Sequence, residues 1–479
     1  MQFRILYSIL FSLLILQACS SGNDKIKNTA DDLPQKDSIL PKEKFATGQL
    51  IEKVVCQHDA SQNYSMYLPS TYSTEKLYPV IYAFDAHGNG KIPVSIYKEL
   101  AEKYGFILIG SNNSKNGNSW EESTIISEKL FEDVQSRLSI NTKRTYLLGF
   151  SGGARVANGI AITNGGITGV ICCGAALPAT NSDHPRTDYF FIGIVGTEDF
   201  NYTEFRKYHK VDLAGKKIKH TLITFDGKHE WPPVETMDEA WWWLELNEMR
   251  MNLVSKNDSL VAQHFQPLLK KMKELQTKKQ AFEAYNFCRQ TINFYDGLVD
   301  LTYFIEAYKA LQTNEEVDRQ LKLEEASWDK EEKLKQYYTE AFQQQNFAWW
   351  KKEIAVVNKK IKTEKDKNNV LILKRTLNYL SLVAYMQASG ALKQNAIAAA
   401  EQFCKIYVLV DPTNTEAYYL TASINALQGN SEETFKNLSN AIKNGYADIK
   451  RFENDTVFYR FKNTAAYSDF DAALKAKMK

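Results

Sequence analysis

From about residue 48 the chain alternates two patterns. Short apolar, β-branched and aromatic runs such as YPVIYAFDA, FILIGSN and RTYLLGF are separated by the amphipathic stretches VSIYKELAEKYG and STIISEKLFEDVQSRL. Runs of the first kind read as buried strands, and stretches with apolar residues three and four apart read as helices. Strands interleaved with helices predict βαβ units on a mainly parallel sheet. The alternation continues through ITGVICCGAAL, YFFIGIVG and KHTLITFDG to a last helix around residues 235–246. Past about residue 250 the strand pattern stops. LLKKMKELQTKKQAFEAYNFCRQTINFYDGL and WDKEEKLKQYYTEAFQQQNFAWWKKEIAVVNKKIK keep the helical spacing among Lys and Glu, so this half is expected to be all-α.

A weak repeat marks the last part. At a spacing of about 34 residues Ala388 aligns with Ala422, Cys404 with Leu438 and Tyr407 with Ala441, with Pro412 closing the first unit and Gly429 in the turn of the second. The pattern resembles tetratricopeptide repeats, although Tyr418 stands where that family usually has Trp. Tyr446 through Phe470 then read as a cap, because a repeat cannot bury its face alone. The expected organisation is a sheet domain over 48–248, a helical region over 249–380, and repeats with their cap over 381–479. A length of 479 residues suits such a division, at roughly 150 residues per domain.

The first residues differ from both halves. Arg4 precedes an apolar run over 5–16 that is short for a membrane span and has the length of a secretory signal. Leu16-Gln17-Ala18-Cys19 resembles the lipobox of bacterial lipoproteins, which implies cleavage after residue 18, acylation of Cys19 and anchoring in the cell envelope. Residues 19–47 are polar, lack an apolar period and read as a disordered tether. The other cysteines (Cys56, Cys172, Cys173, Cys288 and Cys404) are odd in number and scattered, which does not make a disulfide framework. A net charge of +2 gives no electrostatic footprint for nucleic acid. With neither H-E-x-x-H nor C-x-x-C in the chain, no metal or cofactor is expected.

The chemistry concentrates in the sheet domain. Gly149-Phe150-Ser151-Gly152-Gly153 lies between an apolar run and a helical stretch, where glycines permit the sharp turn that exposes a serine hydroxyl. This G-x-S-x-G elbow calls for an acid and then a histidine, each after a later strand. Asp199 follows YFFIGIVG, with Glu198 as the rival acid, and His229 follows HTLITF. In that arrangement His229 takes the proton of Ser151 while Asp199 holds its tautomer. The oxyanion of an acyl-transfer intermediate needs two donors. Gly152 N–H is one candidate, and the loop Asp85-Ala86-His87-Gly88-Asn89-Gly90 offers Asn89 first and Gly88 second. His87 reads as a loop-shaping residue. Trp241-Trp242-Trp243 would point three ways from a helix, which favours core packing over a sugar-stacking platform.

Residues 60–245 resemble the esterase branch of the α/β-hydrolase superfamily, which includes polyhydroxybutyrate depolymerase-like and feruloyl esterase-like enzymes. The resemblance rests on SINTKRTYLLGFSGGARVA, the His-Gly loop, G-T-E-D and G-K-H-E-W in family order. It implies a serine carboxylic ester hydrolase acting on an ester-bearing small molecule or polymer fragment. The short intervals between Ser151, Asp199 and His229 leave little room for a lid, so a shallow site is expected. Two alternatives stand beside it: a serine peptidase, and a lipid-anchored scaffold whose repeats hold a protein partner over an inactive hydrolase domain.

The lipobox reading makes Cys19 the first residue of the mature chain. Cys19→Ala should then abolish partitioning into the detergent phase, and a mature N-terminus elsewhere would refute it.

Overall fold

In a computed structural model the described residues are 42–477, apart from 181 and 183. The expected signal segment and Cys19 lie outside them. Residues 42–47, expected to belong to the tether, are instead seated on the sheet domain. Glu43 N–H donates to Arg137 O (3.0 Å), the Glu43 carboxylate pairs with Arg137 (2.7 Å), and Phe45 lies under that guanidinium.

The strands are β1 (Leu50–Val55), β2 (Asn63–Tyr67), β3 (Tyr78–Phe84), β4 (Ile107–Ser111), β5 (Ile140–Phe150), β6 (Gly169–Cys173), β7 (Phe190–Gly196) and β8 (Lys219–Phe225). They form one sheet in the order β1-β2-β4-β3-β5-β6-β7-β8. The β1–β2 and β2–β4 pairs are antiparallel and the others parallel. This is the α/β-hydrolase sheet. Interior strands β3, β4, β6 and β7 are buried along their whole length, and β5 over its last six residues, as parallel strands covered on both faces must be. The helices of this part are α1 (Lys91–Tyr104), α2 (Trp120–Arg137), α3 (Gly152–Thr163), α4 (Tyr202–Lys207) and α5 (Val234–Arg250). Tyr146 and Leu148 face the core shared with α1 and α5, and Leu147 between them faces α2 and α3. Helix α2 starts where Ser119 and Glu122 close a reciprocal capping box.

The helical half holds α6 (Asp258–Thr277), α7 (Ala281–Tyr295), α8 (Thr302–Gln312), α9 (Glu315–Gln344), α10 (Phe347–Thr363), α11 (Lys367–Lys393), α12 (Ile397–Val410), α13 (Thr415–Leu427), α14 (Ser431–Lys443), α15 (Ile449–Asn454) and α16 (Ala465–Ala476). All six residues of the aligned repeat are buried, one on each of α11 and α13 and two on each of their partners α12 and α14, as the spacing requires. Asp411 caps α12 just before Pro412, and Gly429 turns between α13 and α14 at φ 80°. Tyr446, Phe452, Phe458 and Phe470 close the far end against Tyr419 and Phe435.

Strands end before residue 248, but the apolar core does not. Trp241 packs on Phe106, Trp243 on Phe190, and Trp242 turns outward to stack on His264 of α6 at 4.0 Å, its Nε1 donating to Tyr295 Oη of α7 (3.0 Å). Val261, Phe265, Phe294 and Phe304 belong to the same cluster. Each large side chain so buried contributes about 2 kcal/mol. A chain truncated after Arg250 should therefore lose its cooperative thermal transition or aggregate. A soluble truncated chain with an unchanged melting temperature would show that α6–α8 are dispensable to the core.

Candidate active site

Going from β3, the next strand lies on one side and β5 on the other, so the strand order reverses between them. Open α/β sheets place their sites in the crevice beyond the carboxyl ends at such a point. The loop after β3 starts with Asp85, and Ser151 follows β5 directly.

The elbow is tight enough to exclude side chains. A Cβ on Gly149 would come within 2.3 Å of Gly153 O, one on Gly153 within 2.0 Å of Phe84 O, and one on Gly152 within 1.8 Å of Asn116 Oδ1. Ser151 itself sits at φ 54°, ψ −120°, a conformation costing a side-chain-bearing residue of order 1–3 kcal/mol. Helix α3, starting at the next residue, and the Ser151 N–H bond to Cys173 O (2.8 Å) hold it there. The flanking β6 thiols, Cys172 and Cys173, are fully buried, and burial pushes both well above the usual thiol range.

The residues expected to act together meet. Ser151 Oγ lies 2.9 Å from His229 Nε2, and His229 Nδ1 lies 2.9 Å from Asp199 Oδ2. A carboxylate can only accept, so Nδ1 donates, Nε2 is the free lone pair, and the serine hydroxyl donates to it. Asp199 is 1% exposed, with its second oxygen accepting from Asn201 N–H (2.8 Å). The imidazole is held between Phe150 (centroids 4.8 Å apart) and Phe200 (4.2 Å). The turns carrying Asp199 and His229 touch through their backbones: Glu198 N–H donates to Gly227 O at 2.9 Å. The rival acid, Glu198, turns away and pairs with Lys374 of α11 (2.6 Å).

The β3 loop departs from expectation. Gly88 N–H closes a turn on Asp85 O (3.1 Å), and Asn89 N–H points at Asp85 Oδ1 (3.4 Å), so both expected donors are turned onto Asp85 rather than toward Ser151. An aspartate at the start of a turn draws in the N–H groups that follow it. Asp85 Oδ1 also accepts from His87 N–H (2.9 Å), and its Oδ2 accepts from Trp231 Nε1 (3.2 Å), tying this loop to the one carrying His229. The His87 side chain is 83% exposed and takes no part in the site. The buried Ala86 N–H keeps no acceptor among the described residues, beside the Phe84–Asp85 backbone on which Gly153 rests.

Beside Gly152 lies a cavity of about 290 Å³ whose walls include Asp85, Asn116, Trp120 and Arg155. Arg155 is engaged by Glu204 at 2.8 Å, and Glu204 in turn accepts from Ala176 N–H (2.9 Å). Sequence reasoning missed Phe200 and Asn201, although their adjacency to Asp199 was a usable signal. It also missed the part played by Asp85 and Asn116, for which no local pattern gave notice.

No family model and no curated protein matches the chain. Among solved structures, the chain is similar to a ferulic acid esterase at 15% identity, covering 40% of this chain and 94% of that one with a TM-score of 0.32. Est1E from Butyrivibrio proteoclasticus is 12% identical over 42% of this chain and 100% of its own, with a TM-score of 0.32. Esterase 2 of Thermogutta terrifontis, phosphonylated by sarin, is 10% identical over 41% and 92%, with a TM-score of 0.33.

Proposed function

We propose that the chain is a serine hydrolase that cleaves a carboxylic ester through an acyl-enzyme on Ser151. The observation that carries this reading is the continuous chain of hydrogen bonds Ser151–His229–Asp199, mounted on a strained elbow. A serine hydroxyl is a weak nucleophile until a base can take its proton, and His229 Nε2 stands at that distance with its other nitrogen fixed.

In this reaction Ser151 Oγ attacks the ester carbonyl as its proton passes to His229 Nε2. Negative charge develops on the carbonyl oxygen, and the N–H groups of Gly152 and Ala86 are the donors available to it. The imidazolium, stabilised by buried Asp199, then protonates the departing alcohol. Water, activated by the same histidine, attacks the acyl carbon and releases the acid and free Ser151. The cavity beside Gly152 is at the small end of ligand pockets, which run from about 300 Å³ upward, and so favours a short acyl or alcohol group. Anchoring to the cell envelope through Cys19 and a protein partner on the repeat-like helices remain part of the proposal.

The wild type should hydrolyse p-nitrophenyl acetate and butyrate faster than the corresponding p-nitroanilides. Ser151→Ala should abolish turnover, and Asp199→Asn should lower kcat about 10⁴-fold, the loss that follows when the histidine tautomer is no longer fixed. Glu198→Gln, which disturbs only a half-exposed ion pair, should stay within about threefold of wild type. A folded wild type without esterase activity, or a Ser151→Ala variant that keeps it, would overturn the assignment, and faster anilide cleavage would make the enzyme a peptidase.

A further inference from the structure

The turn that carries Asp199 is bonded in two opposite directions. Its N–H groups are satisfied within the sheet domain: Thr197 N–H donates to Phe225 O (2.8 Å), Glu198 N–H to Gly227 O (2.9 Å) and Asp199 N–H to Gly196 O (3.1 Å). Its carbonyls, except that of Asp199, which accepts from Tyr202 N–H (3.0 Å), face the helical half. Thr197 O accepts from Arg375 Nη1 (3.0 Å), Glu198 O from Asn378 Nδ2 (2.7 Å) and Phe200 O from Lys335 Nζ (2.6 Å). The first two donors are on α11 and the third on α9.

These donors are themselves fixed. Arg375 and Lys335 both bind the fully buried carboxylate of Glu331, at 2.7 and 2.6 Å. The Arg375 guanidinium is 4% exposed and lies 4.5 Å above the Tyr202 ring, at the start of α4. Further along, α9 follows α4 through Lys207–Glu332 (2.6 Å) and the pair Arg206–Glu324, and follows the helical turn after α4 through Lys210–Glu325. Two cations sharing one buried carboxylate cannot move independently without leaving charge uncompensated in a dry environment, which is strongly unfavourable. Their remaining N–H groups therefore meet the acid turn at fixed points on both sides of Asp199.

We propose that Arg375, Asn378 and Lys335 are positioning residues for Asp199, so that the helical half completes the hydrolase rather than being appended to it. The inference rests on the hydrolase reading given above. Asp199 reaches His229 through one 2.9 Å hydrogen bond, and a displacement of about 1 Å at such a point costs on the order of 10²-fold in rate. Within the sheet domain the turn is held by its N–H groups, by the Asp199 carbonyl and by the Asn201 N–H on the carboxylate. Without α9 and α11 the carbonyls of Thr197, Glu198 and Phe200 would exchange among waters, and the carboxylate would lose a defined aim.

The test uses the full-length protein with p-nitrophenyl butyrate, a fluorophosphonate to count reactive serines, and thermal melting. Asn378→Ala removes one donor from a half-buried position, and Lys335→Met removes another while Glu331 keeps Arg375. Each should lower kcat about tenfold with KM and the count of reactive serines unchanged, on the scale of a sub-ångström misplacement. Lys335→Arg should recover most of the loss. In an Asp199→Asn background, Asn378→Ala should have no further effect, because a residue acting through Asp199 has nothing left to position. Unchanged kcat in both single variants, or the same fold loss with and without Asp199, would overturn the proposal in favour of a purely structural contact. A wild type that neither labels nor turns over would instead remove the hydrolase reading on which it rests.

Discussion

The hydrogen bond from His229 Nδ1 to Asp199 Oδ2 sets the terms for the rest of the molecule. It requires a buried carboxylate to be aimed at an imidazole from a turn that has no regular secondary structure to hold it. The turn compensates with the Asn201 N–H on the second oxygen and with backbone bonds to the neighbouring loop through Gly227. Phe150 and Phe200 then limit the ring to one plane, so that Nε2 faces Ser151.

The strain at Ser151 belongs to the same arrangement. An elbow at φ 54° is retained only where its surroundings over-determine it, and here Gly149 and Gly153 let the backbones of β3, β5 and α3 approach within distances no Cβ would allow. The parallel strands provide the rigid frame. Asp199, His229 and Ser151 each leave the same edge of the sheet, so twist and register bring near one another residues far apart in the chain.

Much of this was legible in the sequence. The alternation of apolar runs with amphipathic stretches marked the strands and where they stop, though not the core that runs on into α6–α8, and G-F-S-G-G between a strand and a helix located the elbow. Asp199 and His229 followed from chain order after their strands. Glycine and strand patterns are local, and local signals survive translation into structure. The β3 loop was not legible in the same way, because the fate of the Gly88 and Asn89 N–H groups depends on Asp85 folding back over its own turn. Residues 42–47 looked like tether because polar composition hides the fit of Glu43 and Phe45 to Arg137, a partner remote in sequence. The grip of Arg375, Asn378 and Lys335 on the acid turn is hidden for the same reason. Nothing in a Lys- and Glu-rich helix distinguishes a solvated cation from one that meets a particular carbonyl. Helix α11 also forms the first member of the stacked pairs, so the repeat-like array and the acid turn share one rigid element.

The central claim is that Ser151 forms a covalent acyl intermediate. Rapid mixing with excess p-nitrophenyl acetate, quenching in acid and weighing the intact protein and its peptides tests that directly. The account predicts a burst of p-nitrophenol of about one equivalent per chain, together with one acetyl group on the peptide containing Ser151 and none in Ser151→Ala. Steady release of p-nitrophenol with no adduct, or an adduct on another residue, would contradict it.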